Sequence, residues 1–523
     1  MSTSGTGADR SQGDSFGSKA LKGALSNYAG KGLILVLGFL LTPFILHRLG
    51  RTDYGLWVLV GPIVTYGTLL DLGISSTLTK HVAEYEAKGK LLDTGDMLAS
   101  ALRLYLMLAL VTLLLSAVVA VIAPQFLHVP ISHRTSASWV FFLAGCGVAV
   151  SLPGALPSAV LRGLHRFDLT NLLAVSGTLV ALVATLIVLA LGGGVVGMVA
   201  LTAPLRLVLP IPAVWLVHRI APDLRVRWRA GAHTNLRAMA SSTASVFAIQ
   251  VAARFQTETD ELVIGAFRPL SDITPFSLAA RVGGIANLVA DQFVQVLLPL
   301  ASALHAENDR QRMRDLYVTS TRVTLAIAVP IAGVLIVLAA PILSAWVGPQ
   351  YAPYSYLVAI LGVALVIDTS ITPAGSVLQA MDRLRPVAIA SMCSGVANLL
   401  LSITLVHFIG LAGVAFGTLI PTTVECLGFV LIYTMRVLDI GFRDVITEIF
   451  LPVAAPAVPV LASLALVVPH VQGWSFLEII ALSGVVVGVY GVIYLVTGAS
   501  NLERQTCLGT LRGMARSAVA HTR

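Results

Sequence analysis

Charged side chains are concentrated in the segment AARFQTETDELVIGAF, residues 252 to 267, where Arg254, Glu258, Asp260 and Glu261 fall within eight residues. If this segment crosses a bilayer, each charge must be paired, hydrated or functional, because a charge at the hydrocarbon centre costs several kcal/mol. A guanidinium group can bind a phosphate through two parallel N–H donors, so Arg254 is a candidate substrate ligand. The alternative is a buried ion pair with Glu258, which lies one helical turn further on.

Other polar side chains recur at helical spacing and predict a shared interior surface. Lys31 and Arg281 lie in apolar runs and have no acid three or four residues away. A polar stripe is untenable against lipid, so such helix faces should meet one another or water. We predict a substrate-binding set in a central cavity, made of Lys31, Arg254, Arg281, Gln250, Gln292 and Gln295.

Carboxylates form a second predicted group, with supporting or ion-coupling roles. Asp71, two residues before Gly73, reads as a structural cap or interhelical partner more than as a proton carrier. Asp368 and Glu425 stand alone in apolar runs, where an ionisable group is a candidate for ion coupling. The complete group is Glu258, Asp260, Glu261, Asp71, Asp368 and Glu425.

Motifs for other chemistry are absent from the sequence. The histidines are scattered, the four cysteines form no close pairs, and no glycine-rich loop ending in Lys-Ser or Lys-Thr could hold ATP. The sequence therefore predicts no catalytic residue, no metal site and no cofactor.

Composition identifies the solvent in which these groups must work. Hydrophobic residues make up 56% of the chain and charged residues 11%, against about 25% charged in soluble domains. Long apolar runs such as residues 104 to 123 favour helices over the alternating strands of a membrane barrel. Windows of about twenty residues predict an all-α polytopic membrane protein with about fourteen transmembrane helices, the second of them at 54 to 79.

Basic residues collect in alternate loops and predict the orientation. By the positive-inside rule both termini are cytoplasmic, which makes the net charge of +8 a topology signal and gives no reason to expect nucleic acid as a partner. Arg48, Arg51, Arg134 and Arg268 are the few basic residues on the opposite side. The Ser/Gly-rich beginning of the chain lacks an apolar signal segment, so we expect residues 1–22 to form a flexible cytoplasmic tail.

An internal repeat organises the rest of the chain. The segment VLRGLHRF (160 to 167) matches VLQAMDRL (377 to 384) at an offset of 217 residues. An even helix number per repeat predicts two parallel six-helix repeats. The predicted domains are an N-terminal lobe at 23–238, a C-terminal lobe at 239–436, and residues 437–523 with two extra helices and a basic cytoplasmic tail. Those two helices have no counterpart in the repeat, so we expect them to be peripheral.

Residues 40 to 89 resemble the first helix pair of the polysaccharide repeat-unit flippases in the multidrug/oligosaccharidyl-lipid/polysaccharide (MOP) exporter superfamily. The resemblance rests on Leu49-Gly50, Tyr54-Gly55 and Asp71-Leu72-Gly73, and extends to LRGLHRFDLTN (161 to 171) and DELVIGAF (260 to 267). LSDITPFSLAARV (270 to 282) departs from the Val-Gly-x-Tyr sequence of many relatives.

The resemblance implies a flippase that moves an undecaprenyl-pyrophosphate-linked oligosaccharide across the bacterial cytoplasmic membrane by alternating access. The implied partners are that lipid-linked oligosaccharide, membrane lipids, and polysaccharide polymerase and glycosyltransferases as candidates. A drug or small-molecule/ion antiporter of the same fold is the alternative, although it would favour an acidic, aromatic-lined cavity over Lys31, Arg254 and Arg281. A membrane-embedded glycosyltransferase is the weakest interpretation, because the longest extracytoplasmic loop, residues 124 to 137, contains no acid.

Overall fold

The computed structural model describes residues 8–88, 94–222, 224, 258–500 and 503–505, and their side chains except in residues 8–35, 203 and 286–296. The regular structure in these ranges is helical throughout, which confirms the all-α prediction. Ten helices in the described ranges are long and apolar enough to cross a membrane, or up to eleven if a bent pair forms one span. The protein is therefore a multi-pass membrane protein, and about fourteen spans for the whole chain is consistent with this count.

The first compact unit is Met1–Thr274. Within it α3 packs along α4, and α4 also contacts α2 and α6. Buried side chains such as Leu78, Tyr105 and Leu152 join α2, α3 and α4 into one core. The helices are α1 (Ala8–Thr68), α2 (Ile74–Ala87), α3 (Gly95–Phe126), α4 (Arg134–Gly163), α5 (Phe167–Ala190), α6 (Gly194–Val208), α7 (Ile211–Ile220) and α8 (Asp260–Phe267).

Two breaks shape the beginning of this unit. Gly50, with φ 76° and ψ 172°, interrupts α1 where the first predicted span should end. The second predicted span, 54 to 79, is wrong as a continuous helix, because Leu72 (φ 50°) and Gly73 (φ 76°) are both left-handed. Two left-handed residues in succession cannot continue a right-handed helix, so α2 starts afresh at a bend of 43°.

A polar network holds three loops at one end of the first unit. Arg51 donates from Nε to the Ser271 carbonyl at 2.8 Å and lies 3.3 Å from Asp272. Arg268 contacts the same carboxylate at 3.2 Å. His133 lies 2.8 Å from Asp53 and draws in the loop that precedes α4. The loops that positive-inside counting assigns to one side are thus neighbours.

The second unit, Pro275–Arg523, contains nearly all of α9 and the helices that follow. Its helices include two π-helical turns, at Val424–Val430 and Val445–Phe450. The α-helices are α9 (Ile273–Ala306), α10 (Arg310–Val337), α11 (Ala339–Val347), α12 (Ser355–Ala380), α13 (Arg385–Ile409), α14 (Leu411–Thr423), α15 (Leu431–Leu438), α16 (Leu451–Val467) and α17 (Phe476–Thr497).

The sequence repeat reappears in the helices and turns. Helix α4 ends at Gly163 and α12 at Ala380, while α6 begins at Gly194 and α14 at Leu411, both pairs 217 residues apart. The turns that follow α4 and α12 even share one unusual conformation, with φ 56° at His165 and 55° at Asp382. The predicted lobe boundary at 238/239 lies outside the described residues and stays a prediction.

The last two helices are not peripheral, contrary to the sequence-based expectation. Ile449 and Val453 pack with Tyr490 and Tyr494 into the same core as Tyr317 of α10. That expectation considered only the repeat, and the absence of a repeat counterpart does not prevent a helix from completing a core.

A buried ion pair reinforces this packing. The guanidinium of Arg322 lies 2.8 Å from the Glu503 carboxylate, and these side chains are only 12% and 9% exposed. Arg322 also donates to the Glu448 carbonyl at 3.0 Å. The segment after α17 is therefore tied to α10 and to the helix that contains α16.

Candidate functional site

The structure describes little of the predicted cationic set. Gln250 and Arg254 lie outside the described residues, and Lys31, Gln292 and Gln295 lie in stretches of α1 and α9 whose side chains are not described. Arg281 lies on α9 and is exposed. A common cavity for these six residues therefore remains a prediction.

The three acids that follow Arg254 gather close to α1. Asp260 and Glu261 occupy the first turn of α8, where the partial positive charge of the helix end favours carboxylates. Glu258 precedes that turn, and all three acids act electrostatically on the Tyr66 hydroxyl of α1. The acidic part of the segment thus faces the second half of α1, within the first unit.

Asp71 joins the broken second span to α3. Its Oδ1 accepts hydrogen bonds from Tyr105 at 2.5 Å and from the Ser75 hydroxyl at 2.8 Å. The Ser75 backbone N–H lies 3.4 Å from Oδ2. These contacts are those of a cap and interhelical partner, in line with the sequence-based interpretation of this residue.

Asp368 and Glu425, which the sequence presents as isolated, are close to one another's surroundings in the second unit. Glu425 is 8% exposed in the π-helical turn after α14, and the Ser391 hydroxyl of α13 donates to it. Asp368 lies on α12, and both carboxylates act electrostatically on the Cys426 thiol. A π-helical turn inserts an extra residue and redirects side chains, which brings Glu425 towards α13.

Sequence reasoning missed a cavity of about 460 Å³ in the first unit, enclosed by α4, α5, α6 and α7. Arg162 and Arg206 both line it. The available signal was Arg206 itself, an arginine in the middle of an apolar run, which should have been treated as a candidate binding residue by the rule applied to Lys31.

The architecture defines a class of protein, as comparison with solved structures shows. An inward-closed structure of the lipid II flippase MurJ is similar with a TM-score of 0.71 and 14% identity, covering 91% of this chain and 98% of that one. An inward-facing multidrug resistance MATE transporter of the MOP superfamily gives 0.64 at 16% identity, covering 79% and 95%. The chain has the fold of MOP superfamily transporters.

Sequence comparison then places the chain within a family. Residues 20–305 match the family described as polysaccharide biosynthesis protein, and the chain belongs to that family. The uncharacterized membrane protein EpsK of Bacillus subtilis is 22% identical over 416 residues, which are 77% of this chain and 81% of EpsK. The probable low-salt glycan biosynthesis flippase Agl15 of Haloferax volcanii is 24% identical over 171 residues, 33% of this chain and only 36% of that relative.

Proposed function

We propose that this protein is a flippase that moves an undecaprenyl-pyrophosphate-linked oligosaccharide across the bacterial cytoplasmic membrane for cell-surface polysaccharide biosynthesis. The observation that carries the proposal is the match of residues 20–305 to the polysaccharide biosynthesis family. Two relatives lend support through their names, a glycan biosynthesis flippase and a lipid II flippase. Polysaccharide polymerase and glycosyltransferases are the proposed partners, and both termini are proposed to be cytoplasmic.

Translocation requires binding and release, and no bond has to be made or broken. In the proposed mechanism Lys31, Arg254 and Arg281 attract the pyrophosphate while Gln250, Gln292 and Gln295 hydrogen-bond the sugars. The isoprenoid tail stays in the lipid. Glu258 and Glu261 hold Arg254 in place and weaken its grip on phosphate, so that the substrate can leave after the cavity opens to the other side.

Ion coupling is assigned to the second unit. Asp368 and Glu425 offer two carboxylates in a membrane-spanning region, where a proton or sodium ion would offset the cost of burying their charge. Binding and release of that cation would favour one side of the alternating-access cycle over the other. Asp260 supports the acidic patch beside α1, and Asp71 holds the bent helix pair together.

The same two carboxylates favour the alternative, a drug or small-molecule/ion antiporter. Acidic groups suit a cationic substrate as well as a coupling ion. The alternative predicts efflux of cationic compounds and normal surface glycan in a strain that lacks the protein. The flippase predicts the reverse, with lipid-linked oligosaccharide accumulating on the cytoplasmic side.

The test is complementation of a deletion strain with Arg281→Ala, Arg281→Lys and a matched control, Arg312→Ala, whose side chain is 70% exposed at the start of α10. We expect Arg281→Ala to lower surface glycan at least about tenfold, because a charge-assisted contact to phosphate is lost. Arg281→Lys should retain part of the activity, since a point charge still attracts phosphate.

Membrane abundance of each variant is measured by immunoblot. Full surface glycan with Arg281→Ala at normal abundance would remove this arginine from the pathway. Normal glycan in the deletion strain, with lost resistance to cationic compounds, would replace the flippase with the antiporter.

A further inference from the structure

The cavity of the first unit lies among membrane-spanning helices and has an unusual lining. Leu173, Leu205 and Leu209 supply apolar surface. The polar lining consists of Ser158, Arg162, Thr170, Thr178, Thr202 and Arg206, and the lining residues include no carboxylate. Two cations and an apolar wall face the same volume.

Arg206 is placed where an arginine is costly without a partner. It lies 12 residues after the start of a span that runs from Gly194 to Ile220, roughly 18 Å along the helix and near the middle of the bilayer. Its one hydrogen bond to described residues runs from Nη1 to the Gly147 carbonyl at 3.4 Å. A guanidinium has five N–H donors, and no carboxylate of the described chain is within ion-pair distance of this one.

The threonines of the lining offer the complementary function. Thr170, Thr178 and Thr202 each donate the hydroxyl proton to a carbonyl of the same helix, at 3.0, 2.9 and 2.6 Å. Their oxygens therefore remain as acceptors for hydroxyl groups of a ligand. From Thr170 to Thr178 these acceptors extend roughly 12 Å along α5.

We propose that this cavity binds a lipid whose headgroup combines an anionic phosphate with hydroxyl groups. Arg162 and Arg206 hold the phosphate, the threonine oxygens accept the headgroup hydroxyls, and the leucines line the path of the hydrocarbon chain. The lipid is either a membrane phospholipid such as phosphatidylglycerol or a phosphorylated prenyl carrier. This inference is independent of the transport proposal, because it uses none of the residues assigned to the central cavity.

The test measures lipid retention by native mass spectrometry of the purified full-length protein with dioleoyl phosphatidylglycerol or dioleoyl phosphatidylcholine. We expect the protein to retain the glycerol lipid preferentially. Arg206→Gln and Arg162→Gln should each lower that retention about tenfold, the loss expected for one charge-assisted contact. The matched control is Arg219→Gln on α7, whose guanidinium lies over the Trp215 ring at 5.2 Å and does not line the cavity.

A second variant guards against misfolding of the arginine mutants. Ala174 is an exposed cavity-lining residue of α5, so Ala174→Phe should fill the cavity and displace the lipid while both arginines remain. Equal retention of the two lipids, or equal losses for Arg206→Gln and Arg219→Gln, would overturn the proposal.

A competition identifies the source of the lipid. Displacement of phosphatidylglycerol by farnesyl pyrophosphate supports the site and assigns it to a prenyl carrier. Retention of phosphatidylglycerol against that competitor supports the site and assigns it to membrane phospholipid. Inorganic pyrophosphate that displaces the lipid as effectively as farnesyl pyrophosphate would overturn the lipid assignment, since the hydrocarbon chain would then contribute nothing.

Discussion

The arginine cavity of the first unit and the acidic site of the second occupy corresponding positions of the repeat, yet carry opposite charges. At the offset of 217 residues, Pro204 of α6 corresponds to Pro421 of α14. Two residues after the first proline stands Arg206, and four residues after the second stands Glu425. The repeat thus preserves the proline and places a cation on one copy and an anion on the other.

The backbone diverges at the same point. In the first unit α6 ends at Val208 and the chain turns at residues 209–210 before α7. In the second unit α14 passes into the π-helical turn Val424–Val430, which contains Glu425. Ala174 on the cavity wall corresponds to Ser391, the residue that donates to Glu425. A few substitutions on one duplicated scaffold therefore yield surroundings suited to ligands of opposite sign.

The largest expected effect concerns the helices that only the second unit has. Truncation after Arg443 removes α16, α17 and Glu503, which opens the core around Tyr317 and leaves Arg322 without its carboxylate. Loss of one partner of a buried ion pair alone costs about 3–5 kcal/mol. We expect no folded protein in the membrane, measured as abundance and by size-exclusion chromatography.

Truncation after Arg504 is the control, because it keeps Glu503 and both helices. Normal abundance of the shorter truncation product would show that the second unit, like the first, is stable without additional helices, and would contradict this difference between the units.

A smaller effect should separate the two charged sites by function. Glu425→Gln keeps a hydrogen-bonding group for Ser391 but removes the charge, and we expect about a tenfold loss of ion-driven transport in proteoliposomes. Ser391→Ala keeps the charge and should lose less. Arg206→Gln should leave the response to an imposed sodium or proton gradient intact. If Arg206→Gln and Glu425→Gln changed that response equally, the two sites would not differ in role.

The smallest effect tests the equivalence of the turns. His165 and Asp382 are left-handed non-glycine residues at matching positions, so glycine at either should relieve strain and stabilise the protein by up to about 1 kcal/mol. His165→Gly should gain more, because aspartate tolerates this conformation comparatively well. Thermal unfolding in detergent measures both, with Ala184→Gly inside α5 as a control expected to destabilise by about 1 kcal/mol. Opposite signs at the two turns would break the structural equivalence.

Several features of the site were predictable from local sequence. The apolar runs predicted the helices, since a chain in lipid must satisfy its backbone hydrogen bonds within the segment. The match of VLRGLHRF with VLQAMDRL predicted equivalent turns, and both turns are left-handed at the same place. Asp71 was interpreted correctly as a cap and interhelical partner because of its position before Leu72 and Gly73.

Other features depend on contacts between segments far apart in the chain. Asp368 and Glu425 are separated by 57 residues in the sequence, and only the packing of α12 against the π-helical turn brings both close to Cys426. The same holds for α16 and α17, whose apolar composition is compatible with either a lipid-facing or a core position.

The sequence by itself determined the solvent, the helical class, the repeat and the identity of the intramembrane charges, because these follow from composition and from spacing along one segment. Only the tertiary structure decided which charges share a cavity, where a span breaks and which helices complete a core. Those outcomes depend on packing between helices, and the free energy of such packing is set by side chains that meet across large separations in the sequence. Arg206 illustrates both parts: its charge was readable in the sequence, whereas its cavity became visible only with α4 and α5 in place.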